Sequence, residues 1–186
     1  MVPVGASFSL VPDDGRTAAG AGQLLIHDIS STEPLPDFGA GSVATARESL
    51  RYIDAAIDLC RGGIVDAVVT GPVHKGLIEK SGTPFMGHTE YFAQALGGDP
   101  FMMMYSEKYR VILASTHIPV SRLPEVLTAQ RIGATIAAAH TAMRDVLGRE
   151  PRIAVCGLDP HCGDNGAIGT FDDVVTAPAV KEAAAR

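Results

Sequence analysis

Gly62-Gly63-Ile64-Val65-Asp66-Ala67-Val68-Val69-Thr70-Gly71-Pro72 is the stretch on which the fold turns. Two glycines close the preceding element, a short β-branched apolar run follows, and a Thr-Gly-Pro turn ends it. That is the pattern of a strand buried on both faces. Upstream, Ser42 stands where a helix cap is wanted, and Ala46, Leu50, Ile53, Ile57 and Cys60 step by four, three, four and three. This spacing lines one face of a helix. Downstream the grammar repeats. Phe101 to Tyr105 and Val111 to Ala114 are short apolar runs joined through Ser106-Glu107-Lys108 as a hairpin. Arg131 to Leu147 has helical spacing through Ile132, Ile136, Ala139, Met143 and Val146, and Ile153 to Cys156 is a further candidate buried strand. Strands alternating with long helices predict an α/β fold with a sheet covered on both faces. Residues 7 to 11 add a short strand, and Pro12 to Gly41 reads as one long turn-rich passage. Pro178 suits the first turn of a helix running to Arg186, where neither glycine cap nor polar tail follows. The expectation is a chain cut in mid-element.

The 186 residues are 46% hydrophobic and 19% charged, which excludes a disordered chain. Fifteen Lys and Arg against 21 Asp and Glu give a net charge of -6, and no basic run interrupts the mixture. Nucleic-acid and anionic-membrane surfaces are therefore not expected as partners. No stretch approaches the ~18 apolar residues of a membrane span. The first residues lack the positive start of a signal peptide, so the expected location is cytoplasmic. Cys60, Cys156 and Cys162 are odd in number and form no CxxC pair, as reduced thiols would.

In open α/β sheets ligands bind beyond the carboxyl ends of strands, which directs attention to the residues after each apolar run. His74, His117 and His161 fall there, and His88 stands at a predicted helix start in Gly87-His88-Thr89-Glu90, where free backbone N–H groups favour an anion. Each histidine has a plain reading as a hydrogen-bonded loop residue. His117 and His161 lie beside Pro and small residues that fix a rigid turn, and two imidazoles suit Zn, Ni, Co or Fe. A catalytic site wants about three protein ligands, and Asp164 is a candidate third, although Gly163-Asp164-Asn165-Gly166 is also an ordinary turn sequence. His27 and His140 carry no supporting context. Gly39, Gly41 and Ala44 spell the dinucleotide fingerprint without a strand before it, which removes its mechanism. Gly163, Gly166 and Gly169 form a glycine run open to two readings, a phosphate cradle or a flexible loop.

Four ordered blocks, Val69-Thr70-Gly71-Pro72-Val73-His74-Lys75-Gly76, Gly82 to Glu90, Ala114-Ser115-Thr116-His117-Ile118-Pro119 and Val155 to His161, resemble the 4-hydroxythreonine-4-phosphate dehydrogenase family. The likeness covers residues 41–186, with 1–40 matching loosely, and marks the chain as a central portion of one dehydrogenase. The resemblance implies an isocitrate/isopropylmalate dehydrogenase-like α/β/α sandwich, here incomplete, that binds NAD without the dinucleotide fingerprint. It further implies a divalent metal (Zn, Mg or Co) on three histidines, two of them His117 and His161, and substrate contacts at His88 and Thr89. His74 and Lys75 lie in a matching block and either line the site or serve the Gly71-Pro72 turn. The third family ligand belongs to a Tyr-His-Asp-Gln-Gly block that this sequence lacks, and in family members it comes from the partner subunit of a homodimer. The implied reaction is NAD- and metal-dependent oxidation, with decarboxylation, of 4-phosphohydroxythreonine to 3-amino-2-oxopropyl phosphate in pyridoxal phosphate biosynthesis. Many family members have Asn-Pro-His-Ala-Gly-Glu where this chain has Asp159-Pro160-His161-Cys162-Gly163-Asp164, which admits the related threonate or erythronate 4-phosphate as substrate. This chain by itself is expected to be inactive. Two other readings are a metal-dependent hydrolase using His117, His161 and Asp164, and a folded fragment without catalysis.

Overall fold

The structure, a computed structural model, describes residues 7–11, 23–29, 31, 36–37 and 39–185. The chain divides into two compact units, Met1–Pro100 and Phe101–Arg186.

In the first unit, β1 (Ser7–Val11) pairs in parallel with β2 (Gln23–His27), Ser7 opposite Gln23 and Val11 opposite His27. The sequence pattern predicts β1 but not β2, a short apolar run inside the turn-rich Pro12 to Gly41 passage. Helix α1 (Val43–Arg61) begins in a reciprocal cap, the Ser42 hydroxyl accepting the Thr45 N–H at 3.2 Å and the Thr45 hydroxyl accepting the Ser42 N–H at 2.9 Å. Gly62 ends it as expected, donating its N–H to the Asp58 carbonyl at 2.9 Å. Ala46, Leu50, Ile53 and Ile57 form its buried face, packed with Ile78 of α2 (Lys75–Lys80) and with Phe85. Tyr91, Phe92 and Ala95 of α3 (His88–Leu96) close over this cluster. Enclosing a side chain the size of Ile78 or Phe85 contributes about 1.5–3 kcal/mol, so this cluster is what fixes α2 and α3 against α1.

In the second unit, β3 (Met103–Tyr105) and β4 (Arg110–Ile112) make the expected antiparallel hairpin, with Met103 opposite Ile112 and Tyr105 opposite Arg110. The Ser106 N–H closes the turn on the Tyr109 carbonyl at 2.8 Å. A single 3-10 turn, Val120–Arg122, leads into the short α4 (Leu123–Val126). Helix α5 (Ala129–Leu147) is capped by the Thr128 hydroxyl, which accepts the Arg131 N–H at 3.1 Å, and ends at Gly148 in the left-handed region. It packs on α6 (Ala177–Ala184), and Ile132, Thr135, Ala139 and Met143 of α5 and Ala179 of α6 are buried. A π-helical turn, Asp172–Thr176, precedes α6, with the Ala177 N–H donating to the Asp172 carbonyl.

The expected buried strands at residues 64–69 and 153–156 do not form. Both segments run without a ladder, Val69 is 99% exposed, and Ile153 and Val155 are 37% and 39% exposed. A strand exists only through a neighbour that takes its N–H and C=O groups, and among the described residues neither segment has one. The strands of the described residues accordingly form two separate two-stranded ladders and not the single covered sheet expected.

Candidate functional site

In the first unit the Thr70-Gly71-Pro72-Val73 turn and α1 enclose a cavity of about 210 Å³, lined also by His88 and Phe92 of α3. His88 is the first residue of α3, and its ring meets Phe85 edge-on at 5.6 Å and lies nearly parallel to Phe92 at 6.3 Å. A half-buried imidazole thus offers polar atoms from an apolar wall. Thr89 follows in the first helical turn and is exposed. At Gly87 a Cβ would sit 2.9 Å from a Glu90 carboxylate oxygen and 3.3 Å from the Lys75 ammonium, so a side chain there would displace one or both of these charged ends. Lys75 donates to the Met86 carbonyl at 2.6 Å. His74 caps α2, its Nδ1 accepting the Leu77 N–H at 3.2 Å. Of the two readings left open for His74 and Lys75, the structure gives both residues hydrogen bonds that hold the turns around α2 and α3.

In the second unit His117 and His161 are both exposed, and both take left-handed backbone conformations, at φ 56 and φ 53. Such a conformation costs a non-glycine residue roughly 1–2 kcal/mol. The loop to His117 leaves the hairpin at Ala114, whose carbonyl accepts from Arg131 Nε at 2.9 Å, while the Arg131 guanidinium lies over the Phe101 ring at 4.4 Å. Around His161, the turn Pro160–Gly163 continues through Asp164 and Asn165, also left-handed at φ 46 and φ 53. The Asp159 carbonyl accepts the Cys162 N–H at 3.0 Å and the His161 carbonyl accepts the Asp164 N–H at 3.2 Å. Ahead of the turn, the buried Asp172 carboxylate accepts from the Leu158 and Asp159 N–H groups at 3.0 and 2.9 Å. Burial pushes this carboxyl up, but the bonds from Leu158, Asp159 and the Thr176 hydroxyl outweigh it and hold it below the ordinary carboxylate range.

The glycine run does not form a phosphate cradle. The Gly163 carbonyl accepts the N–H groups of Gly166, Ile168 and Gly169, so those amides face inward. Gly163 sits at φ 84 with the Gly169 carbonyl where a Cβ would go, and Gly169 packs against the Asp159 carboxylate. The Gly39-Gly41-Ala44 pattern leads into α1 at the Ser42 cap, and among the described residues the nearest strand before it, β2, ends at His27 and does not run into it. His140 pairs with Glu150 at 2.6 Å on the surface of α5, and His27 ends β2. All three cysteines are free.

Among the described residues no group of three or more His, Cys, Asp or Glu is arranged to hold a metal ion. Asp164 therefore does not complete a set with His117 and His161, and the arrangement that the hydrolase reading needs is not assembled. The two imidazoles fit a divalent ion of the zinc or cobalt type as part of a donor set. Arg131 and Asp172, which hold the two histidine loops, were missed from sequence. The one signal for Asp172 was the acidic pair Asp172-Asp173 ahead of the apolar Val174-Val175, and Arg131 stood hidden in a helical pattern. No helix among the described residues is long and apolar enough to cross a membrane.

The family model of the pyridoxal phosphate biosynthetic protein PdxA matches residues 7–186. The 4-hydroxythreonine-4-phosphate dehydrogenase of Acidithiobacillus ferrooxidans is 39% identical over 161 residues, covering 86% of this chain and 48% of that protein. Its counterpart from Vibrio cholerae is 37% identical over 169 residues, covering 88% of this chain and 50% of that protein. Among solved structures, the 4-hydroxythreonine-4-phosphate dehydrogenase of Klebsiella pneumoniae aligns with a TM-score of 0.77 at 31% identity, over 97% of this chain and 56% of the other. The one from Burkholderia phymatum aligns with a TM-score of 0.76 at 30% identity over the same shares, 97% and 56%. The chain spans about half the length of the curated relatives it matches. With the family model matched from β1 to the last residue and the relatives agreeing in name, this chain belongs to the PdxA family of pyridoxal phosphate biosynthetic proteins.

Proposed function

We propose that this chain serves an NAD- and divalent-metal-dependent oxidation, with decarboxylation, of 4-phosphohydroxythreonine to 3-amino-2-oxopropyl phosphate, on an isocitrate/isopropylmalate dehydrogenase-like α/β/α fold. Family membership supports the reaction class. One observation of the structure carries the site: five described non-glycine residues have positive φ, and two of them are His117 and His161, the histidines singled out by the family motifs. Strained backbone that persists is a mark of functional positions. His117 and His161 would hold the ion through ring nitrogens, the third donor coming from the partner subunit of a cytoplasmic homodimer. The bound ion supplies a Lewis acid for the secondary hydroxyl of the substrate. His88 and Thr89 bind the substrate, the imidazole fixed between Phe85 and Phe92 and the Thr89 hydroxyl standing in the first turn of α3, whose N–H groups favour the phosphate. Glu90 in the same turn already supplies a carboxylate to that helix end, so the phosphate shares it with an acid.

Assayed with NAD and a divalent metal, this chain alone is expected to form no NADH from 4-phosphohydroxythreonine. Joined in register to the carboxyl-terminal half of the Acidithiobacillus ferrooxidans relative, it is expected to turn over, and His117→Ala or His161→Ala should abolish that activity. A folded, active chimaera indifferent to both substitutions would overturn the assignment. Because the Asp159 to Asp164 segment departs from the common family pattern, threonate 4-phosphate belongs in the same assay as the competing substrate.

A further inference from the structure

We infer that Asp172 is a positioning residue for His161, acting through the backbone of Leu158 and Asp159. The inference rests on the proposed metal role of His161 and deepens it. The carboxylate is 5% exposed, and the Leu158 N–H lies 3.0 Å from each of its oxygens while the Asp159 N–H lies 2.9 Å from one. Those amides stand three and two positions before His161, at the point where the chain enters the left-handed turn. Gly157 lets the carboxylate and the turn come this close, since a Cβ there would lie 2.7 Å from Cys162 Sγ and 3.0 Å from Asp172 Oδ2. The anchor is itself fixed, being the first residue of the π-helical turn that runs into α6 and packs on α5. A connected path thus leads from the α5–α6 core through one buried anion and two amides to the His161 backbone. A buried carboxylate is stable only with such partners, so the interaction holds both sides: the amides keep the acid ionised, and the acid keeps the loop in place. His161 is exposed and takes a conformation that its own residue type disfavours, so the turn depends on what holds its ends.

The test uses the full chain and cobalt(II) chloride as the probe, with two readouts: cobalt affinity from visible absorption and calorimetry, and amide exchange at Cys162 and Asp164. These amides are bonded within the turn and not to Asp172. Asp172→Asn is expected to speed their exchange and to weaken cobalt binding by about tenfold or more, as loss of an outer partner does. Asp172→Glu, which keeps the anion, should recover part of both. Unchanged exchange at Cys162 and Asp164, or cobalt affinity unchanged where His161→Ala abolishes it, would overturn the proposal. Cobalt binding indifferent to His161→Ala would instead remove the metal reading of His161, and the exchange rates would still decide whether Asp172 holds the turn. If Asp172→Asn does not fold, Thr176→Val, which deletes the hydroxyl bonded to the same carboxylate, is read in both ways: faster exchange supports the role and unchanged exchange overturns it.

Discussion

The Nδ1 atom of His74 takes the Leu77 amide at 3.2 Å, sharing it with the His74 carbonyl, which accepts the same N–H at 3.0 Å at the start of α2. An imidazole seldom does this work, which Ser, Thr, Asp and Asn do more often, and the ring is then committed to one tautomer with its proton on Nε2. Two histidines in matching family blocks therefore have different physical roles: His74 closes a helix, whereas His161 stands exposed on a strained turn. Replacing the cap should be visible in stability and silent in metal binding. His74→Leu is expected to cost about 1 kcal/mol in denaturant unfolding, with His74→Asn close to wild type and cobalt affinity the same in all three. Equal losses for Leu and Asn would show that the ring matters for something other than its acceptor atom. Sequence alone could not separate the two histidines, because what distinguishes them is which backbone amide lies within reach.

Between elements, the Tyr91 hydroxyl donates to Asp54 at 2.7 Å, tying α3 to α1 one turn beyond His88. Burial, the hydrogen bond to Asp54 and the charge of Asp54 together push the Tyr91 phenol up to about 12. Raised above its unfolded value of about 10, the group contributes stability that is complete below about pH 10 and is lost as pH rises toward about 12. The stability gap between wild type and Tyr91→Phe should therefore hold through neutral pH and shrink across that alkaline window. Denaturant unfolding at several pH values measures it, and a gap that stays constant would mean the phenol is not coupled to folding. Elements such as α1 and α5 were legible in the sequence because a helix satisfies its own backbone bonds, so that spacing, cap and glycine stop all lie within one segment. The 64–69 and 153–156 segments carry equally clear strand composition, yet strand pairing is a relation to a second segment that composition does not contain. Of the candidate site, the histidines were legible from their motifs; Arg131 and Asp172 were not, since each acts on backbone 17 and 14 positions away.

At the scale of the whole chain, the apolar content that composition assigns to a core is only partly enclosed. In the second unit, Val111, Ile153 and Val155 line a groove of about 670 Å³ together with Ile132, Ala139 and Met143 of α5, and the first three are 52%, 37% and 39% exposed. Contiguous apolar surface of this kind is uncommon on an isolated soluble domain, and it attracts apolar probes. The native chain is expected to enhance anilinonaphthalene sulfonate fluorescence at neutral pH while keeping its near-ultraviolet circular dichroism, which separates an open groove from a loosened core. Ile153→Thr combined with Val155→Thr should lower that fluorescence and lower the melting temperature less than a core truncation does, because these side chains are 37% and 39% exposed. Met143→Ala in the same groove should do the opposite: it removes a side chain only 8% exposed, at a cost of about 2–5 kcal/mol, and should leave dye binding in place. Dye fluorescence that rises only on melting would show that the groove is closed in solution, and the exposure of residues 153–156 would then have to be abandoned along with the explanation of why they form no strand.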